Sequence, residues 1–84
     1  MEKGKYYVAK IFNAYYFIKY KSFNKPFVIG EIYIIHNRGI ELSYGFSAEP
    51  DEFTPIDEKT FYKIKTIYET NMPILLNLCK AYER

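Results

Sequence analysis

The sequence is poor in the residues that most often carry chemistry. Among 84 residues it has one cysteine, Cys79, one histidine, His36, and no tryptophan. A single cysteine excludes an internal disulfide and a cysteine metal cluster. The histidine and the cysteine lie on different predicted elements, and nothing marks the base and orienting group that a nucleophile needs. We therefore predict no catalytic residue, no metal site and no cofactor.

Glycine motifs and long apolar runs are also missing. The four glycines are isolated, so the sequence has no phosphate-cradling glycine pattern. No charge-free run approaches the ~20 residues that a membrane helix requires. The charged N-terminus is not followed by the apolar core of a signal peptide. These absences predict a soluble, cytoplasmic, non-enzymatic protein without a membrane partner.

Aromatic side chains are the residues in excess. The chain has ten tyrosines and seven phenylalanines, and lysine is far more common than arginine. One explanation is an aromatic and basic surface for nucleic acid. The other is codon bias in an AT-rich genome, such as that of a virus or mobile element. The excess is spread along the whole chain rather than grouped in one motif, which favours codon bias.

Four strands are predicted in the first half of the chain. Runs of β-forming residues, separated by turn residues, place them at Lys5–Phe12, Tyr15–Lys21, Phe27–His36 and Ile40–Phe46. Gly30 inside the third strand indicates a bulge or a bend. Because every connection is short, an antiparallel meander is the simplest arrangement.

The fourth strand has the clearest alternation. Its apolar residues Ile40, Leu42, Tyr44 and Phe46 fall on one side. This pattern is typical of a half-buried strand, so we expect all four side chains to share one covered face.

The last third of the chain is predicted to be helical. An acidic loop with two prolines, residues 47–56, leads to Asp57, which can cap the free N–H groups of a helix start. From there apolar residues recur at steps of three and four. Pro73 cannot donate a backbone hydrogen bond, so we expect a helical region 57–83 that is kinked or broken near it, with helices at about 57–71 and 73–82.

Apolar side chains on both faces of the sheet determine the expected architecture. In the third strand Ile32 falls on one face, whereas Tyr33 and Ile35 fall on the other. One helix can cover only one face of a four-stranded sheet. Either the sheet curls towards a small barrel, with Gly30 as a bending point, or a second protein or copy covers the other face. We predict a single α+β domain, residues 1–84, with a strongly curved four-stranded antiparallel sheet and a C-terminal helix.

The second predicted strand carries the strongest binding signal. Tyr15, Phe17, Lys19 and Lys21 alternate onto one of its faces, and Lys10 of the first strand can lie near them. Aromatic and basic side chains on a curved sheet can stack bases and contact phosphates. Alternatively, the two rings belong to a core or an interface, and the lysines keep an edge soluble.

The lack of catalytic motifs and the surplus of apolar sheet surface lead to a function hypothesis. The sequence predicts a small non-enzymatic protein-interaction module, such as an adaptor or inhibitor from a phage or mobile element, whose partner is another protein or a second copy. The alternative is a nucleic-acid-binding small β-barrel that uses the five residues above. A further alternative is an enzyme centred on His36 or the acidic loop, which would need a concave pocket at those residues.

Overall fold

The computed structural model of the chain describes residues 1–70. They form an antiparallel sheet with the strand order β4-β3-β2-β1-β5 and, within that range, one helix. The elements are β1 (Tyr6–Ile11), β2 (Ala14–Asn24), β3 (Phe27–His36), β4 (Gly39–Ser47), a 3-10 turn (Pro50–Glu52), β5 (Thr54–Ile56) and α1 (Glu58–Thr70). The α+β class and the meander of the first four strands are confirmed. The break near Pro73 and the helix at 73–82 lie outside the described residues.

The sequence prediction of four strands is wrong, because the sheet of the described residues has five. Thr54–Ile56, predicted as part of the acidic loop, pairs antiparallel with β1, where Tyr6 lies opposite Ile56 and Val8 opposite Thr54. Three residues that include a proline have no alternation by which a strand can be recognised. The pairing forms only because the chain passes from β4, at one edge of the sheet, to the far side of β1.

The helix covers one face of the sheet, here called the helix face. It begins where predicted, because the Thr60 backbone N–H donates a 2.8 Å hydrogen bond to Asp57 Oδ1. Hydrogen bonds with Thr60 lower the pKa of the Asp57 carboxyl. Phe61 and Ile64 of α1 are buried against side chains of the first three strands, namely Val8, Tyr15, Phe17, Tyr33 and Ile35.

The sheet is not closed or strongly curled, so the predicted barrel-like curvature is wrong. Curling is unnecessary because the chain itself covers the second face. Residues 48–53, the crossover segment, connect β4 to β5 across this face, which we call the crossover face. Phe53 is buried there in a cluster with Tyr7, Ala9, Ile18, Val28 and Ile32. Met1 and Ala48 pack against the same cluster.

The predicted alternation of the fourth strand holds for only part of β4. Ile40 and Leu42 pack on the helix face, as expected, but Phe46 packs on the crossover face. The pairing of β3 with β4 shifts register between Ile29 and Ile32. The bulge that Gly30 indicated is thus present, and it changes which face the end of β4 presents.

Candidate functional site

The structure places the two aromatic residues of the predicted binding face in the core. Tyr15 is 4% exposed and Phe17 is 0% exposed, and both belong to the cluster beneath α1. A ring that stacks on a base must have one face open to solvent. Neither ring has such a face, because α1 and the neighbouring strands surround them.

The three lysines of the predicted site lie at opposite ends of the pairing between β1 and β2. Lys10 is paired with Tyr15, and Lys19 with Tyr6, in the register of β1 and β2. Four residues along a strand correspond to about 13 Å. The structure therefore separates Lys10 from Lys19 and Lys21, which lie close together on β2 towards the opposite end of its pairing with β1.

Lys19 and Lys21 line an open groove of about 380 Å³, here called the lysine groove. Its other lining residues come from the N-terminal segment and from β2, β3 and β4, and they are Lys3, Gly4, Tyr20, Ile29, Gly30, Glu31 and Tyr44. The groove lies where both strand pairings shift register, between Tyr20 and Ser22 in β2 and between Ile29 and Ile32 in β3. These irregularities open the regular sheet surface at this point.

Gly30 is required for the close approach of β2 and β3 in the groove. A Cβ atom at this position would collide with the Lys19 backbone carbonyl oxygen and would also lie 3.0 Å from the Ile18 side chain. The Lys19 carbonyl belongs to the backbone and cannot move without disturbing the strand pairing.

Glu31 is the acidic residue among those that line the groove, and other side chains already engage it. It accepts a hydrogen bond from the Tyr33 hydroxyl, and its carboxylate lies 3.0 Å from Lys65 Nζ on α1. Partial burial by itself would raise the pKa of Glu31, but the hydrogen bonds from Tyr33 and Lys65 outweigh it and lower the pKa below the ordinary value. Glu31 is therefore ionised at neutral pH and paired with a helix lysine.

A pair of tyrosines lies beside Lys19. A hydrogen bond with Tyr62 raises the pKa of Tyr6 to about 12. The same hydrogen bond lowers the pKa of Tyr62, and a hydrogen bond with Lys19 adds to this effect. The Lys19 ammonium lies 6.0 Å from the centroid of the Tyr6 ring, within cation–π range. These contacts hold Lys19 against the sheet and fix one side of the groove.

The outer edge of β4 lies next to the groove, and we call it the β4 edge. The strand has nine residues and no proline, and its one charged side chain, Glu41, contacts His36. Within residues 1–70 no further strand pairs with this edge. Tyr44 stands beside it with 67% of its surface exposed. The sequence pattern grouped Tyr44 with the covered residues of its strand, so sequence reasoning missed it as a candidate contact.

The other edge of the sheet differs in length and composition. β5 has only three residues, and Pro55 provides no backbone N–H. A groove of about 530 Å³ lies beside it, with the acidic side chains of Glu2, Asp57 and Glu58 in its lining. Asp57 is already used as the helix cap. A short edge that contains proline is one of the features by which proteins prevent further strand pairing.

His36 and the acidic residues of the crossover segment make local contacts. The His36 Nδ1 atom accepts a 3.1 Å hydrogen bond from the Arg38 backbone N–H, and Nε2 contacts Glu41. The Glu49 backbone N–H donates to the Glu52 carboxylate at 3.1 Å. Neither groove described above is lined by these residues. The enzyme alternative and the absence of catalysis both stay predictions.

Two further properties concern residues 1–70 alone. In this part of the chain no three histidine, cysteine, aspartate or glutamate side chains are grouped so that they could hold a metal ion. No helix there is long and apolar enough to cross a membrane. Comparison of the chain with protein-family models, with curated proteins and with solved structures gave no match.

Proposed function

We propose that this protein is a non-enzymatic interaction module that binds an extended segment of another protein along the β4 edge. The observation that carries the proposal is the nine-residue edge of β4, with which no other strand pairs within residues 1–70. A terminal strand presents backbone N–H and C=O groups that can pair with a further strand, and several peptide-binding domains use this mode. The main-chain hydrogen bonds provide affinity, and pockets beside the edge provide specificity.

The contrast between the two sheet edges supports this choice of site. Proteins protect exposed edges with prolines, lysines, bulges or short strands. The β5 edge has two of these features, a length of three residues and Pro55. β4 carries neither proline nor lysine. The pairing of β3 with β4 shifts register opposite Tyr44, where the Ser43 hydroxyl donates a 3.0 Å hydrogen bond to the Gly45 carbonyl oxygen. Residues 39–43 are regularly paired with β3.

Tyr44 provides a side-chain contact beside the edge. It is 67% exposed, whereas Leu42 and Ile40 on the same strand are partly buried beneath α1. Tyrosine is enriched in protein interfaces because it supplies a large apolar area together with a hydroxyl that can form hydrogen bonds. A partner strand paired with β4 would cover the exposed ring of Tyr44.

Nucleic-acid binding is the second candidate, and one observation favours it. Lys19 and Lys21 lie together beside the exposed ring of Tyr44. This arrangement could contact phosphates and stack one base, although Tyr15 and Phe17 are not available for stacking. Such binding would weaken steeply with rising salt concentration.

Selection from a library of random displayed peptides, each about as long as β4, tests the proposal. We expect the selected peptides to be extended and to slow hydrogen exchange of the β4 backbone amides, because strand pairing protects them. Tyr44→Lys should weaken binding because it places a charge at the edge and removes the ring. Phe12→Lys is the matched control, since Phe12 is an exposed aromatic residue, 93% exposed, in the turn between β1 and β2.

Other outcomes would contradict the proposal. A library that yields no binder, or binders that protect amides elsewhere and not in β4, would exclude strand addition at this edge. Light scattering with hydrogen exchange identifies self-pairing: a dimer with protected β4 amides would assign the edge to a second copy and not to a foreign segment. Binding of single-stranded DNA that is lost in Lys21→Glu would favour the second candidate.

A further inference from the structure

We infer that the lysine groove beside the β4 edge selects partner segments that carry acidic side chains. The inference rests on the proposed strand addition and adds the chemistry of the partner to it. It depends on the charges that line the groove, on their distance from the edge and on the apolar surface between them.

The charges of the groove are unequal. Lys3, Lys19 and Lys21 line it, with Glu31 as the opposing charge. Glu31 is compensated by Lys65 of α1 and by the Tyr33 hydroxyl. Lys3 and Lys21 are exposed on the surface, and Lys19 is partly buried. The groove is therefore a net positive surface, and an acidic side chain is complementary to it.

The distance between the groove and the edge suits long side chains. The lysines come from β2 and the N-terminal segment, with β3 and β4 between them and a partner strand. Three strand spacings of about 4.8 Å separate β2 from a strand added to β4, about 14 Å in all. A lysine from β2 and a glutamate from the partner reach each other when both side chains are extended along the sheet, whereas the shorter aspartate does not span this distance. The side chains of an added strand alternate between faces, so every second residue points towards the groove.

Part of the surface between the lysines and the edge is apolar. Ile29 and Gly30 form the apolar part of the groove on β3, beside Glu31, and Tyr44 lies between them and the edge. Salt bridges over partly desolvated apolar surface are screened less than bridges in open water. An alternation of apolar and acidic residues in the partner thus fits this side of the sheet.

The same features favour a protein segment over a nucleic acid. Strand pairing at the β4 edge requires a polypeptide backbone, which a nucleic acid lacks. A protein segment can place a single acidic side chain beside Lys21 and leave the vicinity of Glu31 to an apolar one.

The composition of the peptides selected from the displayed library tests the inference. We expect glutamate at alternate positions, and about tenfold tighter binding of a selected peptide than of its glutamine-substituted version at low salt. The acidic preference should disappear in a selection against Lys21→Glu. It should persist against Lys63→Glu, which makes the same charge change on the exposed side of α1.

The two proposals fail in different ways. Peptides that protect the β4 amides but contain no excess of acidic residues would overturn this inference and leave strand addition intact. Peptides that do not protect the β4 amides would overturn both. Single-stranded DNA that competes with the selected peptides and loses affinity in Lys21→Glu but not in Lys63→Glu would assign the groove to nucleic acid instead. Circular dichroism of each variant confirms that the fold is retained.

Discussion

The ring of Phe46 stacks on the ring of Tyr16, with centroids 4.3 Å apart and an angle of 14° between the planes. Their strands, β4 and β2, are not neighbours, since β3 lies between them. Phe53 of the crossover segment meets Phe46 edge to face, with 6.0 Å between the centroids. Phe46 thus connects the crossover segment to the middle of the sheet. This arrangement explains how a small open sheet with one described helix covers both of its apolar faces.

The burial of Phe53 on the crossover face predicts that truncation of its side chain destabilises the fold. Phe53 is 9% exposed and packs against Tyr7 and Ile18. We expect Phe53→Ala to lower the free energy of unfolding by about 3 kcal/mol, because it removes a buried ring and leaves a cavity. Urea denaturation of both proteins measures the change. Phe27→Ala, at a ring that is 48% exposed, should lower the free energy of unfolding much less. Equal effects would show that the crossover segment does not cover the sheet.

The turn between β1 and β2 contains a strained aromatic residue. Phe12 has a φ of 56° and is 93% exposed. A non-glycine residue in this left-handed region costs about 1–2 kcal/mol, of which glycine would recover a part after its own entropy cost. We expect Phe12→Gly to stabilise the fold by about 0.5–1 kcal/mol, measured by thermal and urea unfolding. Phe27→Gly, at a position without positive φ, should destabilise it. A lower free energy of unfolding for Phe12→Gly than for the parent protein would show that the backbone at Phe12 is not strained.

Two glycines of the sheet should respond differently to the same substitution. A Cβ at Gly30 would meet the Lys19 backbone oxygen, whereas a Cβ at Gly45 would come within 3.1 Å of Ile29 Cδ1, the end of a flexible side chain. We expect Gly30→Ala to lower the free energy of unfolding by about 2 kcal/mol or more, and Gly45→Ala to lower it clearly less. Denaturant unfolding gives both values. Because Gly30 also lines the lysine groove, its substitution should weaken peptide binding as well.

The ion pair of Glu31 predicts part of the acid sensitivity of the fold. The pKa of Glu31 is lower in the folded chain than its ordinary value of 4.5. A carboxyl with a lowered pKa contributes its full stability above the unfolded pKa, and the contribution is lost as the pH falls through the folded pKa. We expect Glu31→Gln to be less stable than the parent at pH 7 and to lose less stability on acidification.

Unfolding curves from pH 7 to pH 3 measure this difference. Asp51→Asn is the control, because Asp51 is an exposed carboxyl of the 3-10 turn. Its stability should follow the parent protein across the range. If Glu31→Gln and the parent lost stability in parallel, the interaction of Glu31 with Lys65 and Tyr33 would not contribute in solution.

Elements that depend on neighbours along the chain are predictable from the sequence. Runs of β-forming residues between turn residues located β1 to β4, and Asp57 located the start of α1, because strand and turn propensities and N-capping are set within a few residues. The apolar residues on both sides of the third strand correctly indicated that both faces of the sheet need cover. In the sequence Gly30 indicates a bulge or a bend, and the structure has a register shift at this position.

The cover of each face of the sheet, and the exposure of the remaining side chains, depend on contacts between segments that are distant in the chain. The path of the crossover segment is not encoded in any local period, so neither β5 nor the burial of Phe53 could be read from residues 47–56. Tyr15 and Phe17 became core residues because α1 returns over their face, and Tyr44 became exposed because a register shift lies opposite it. The lysine groove joins residues from four separate parts of the chain. Such a site exists only after the strands have paired, because pairing between distant segments determines which side chains become neighbours.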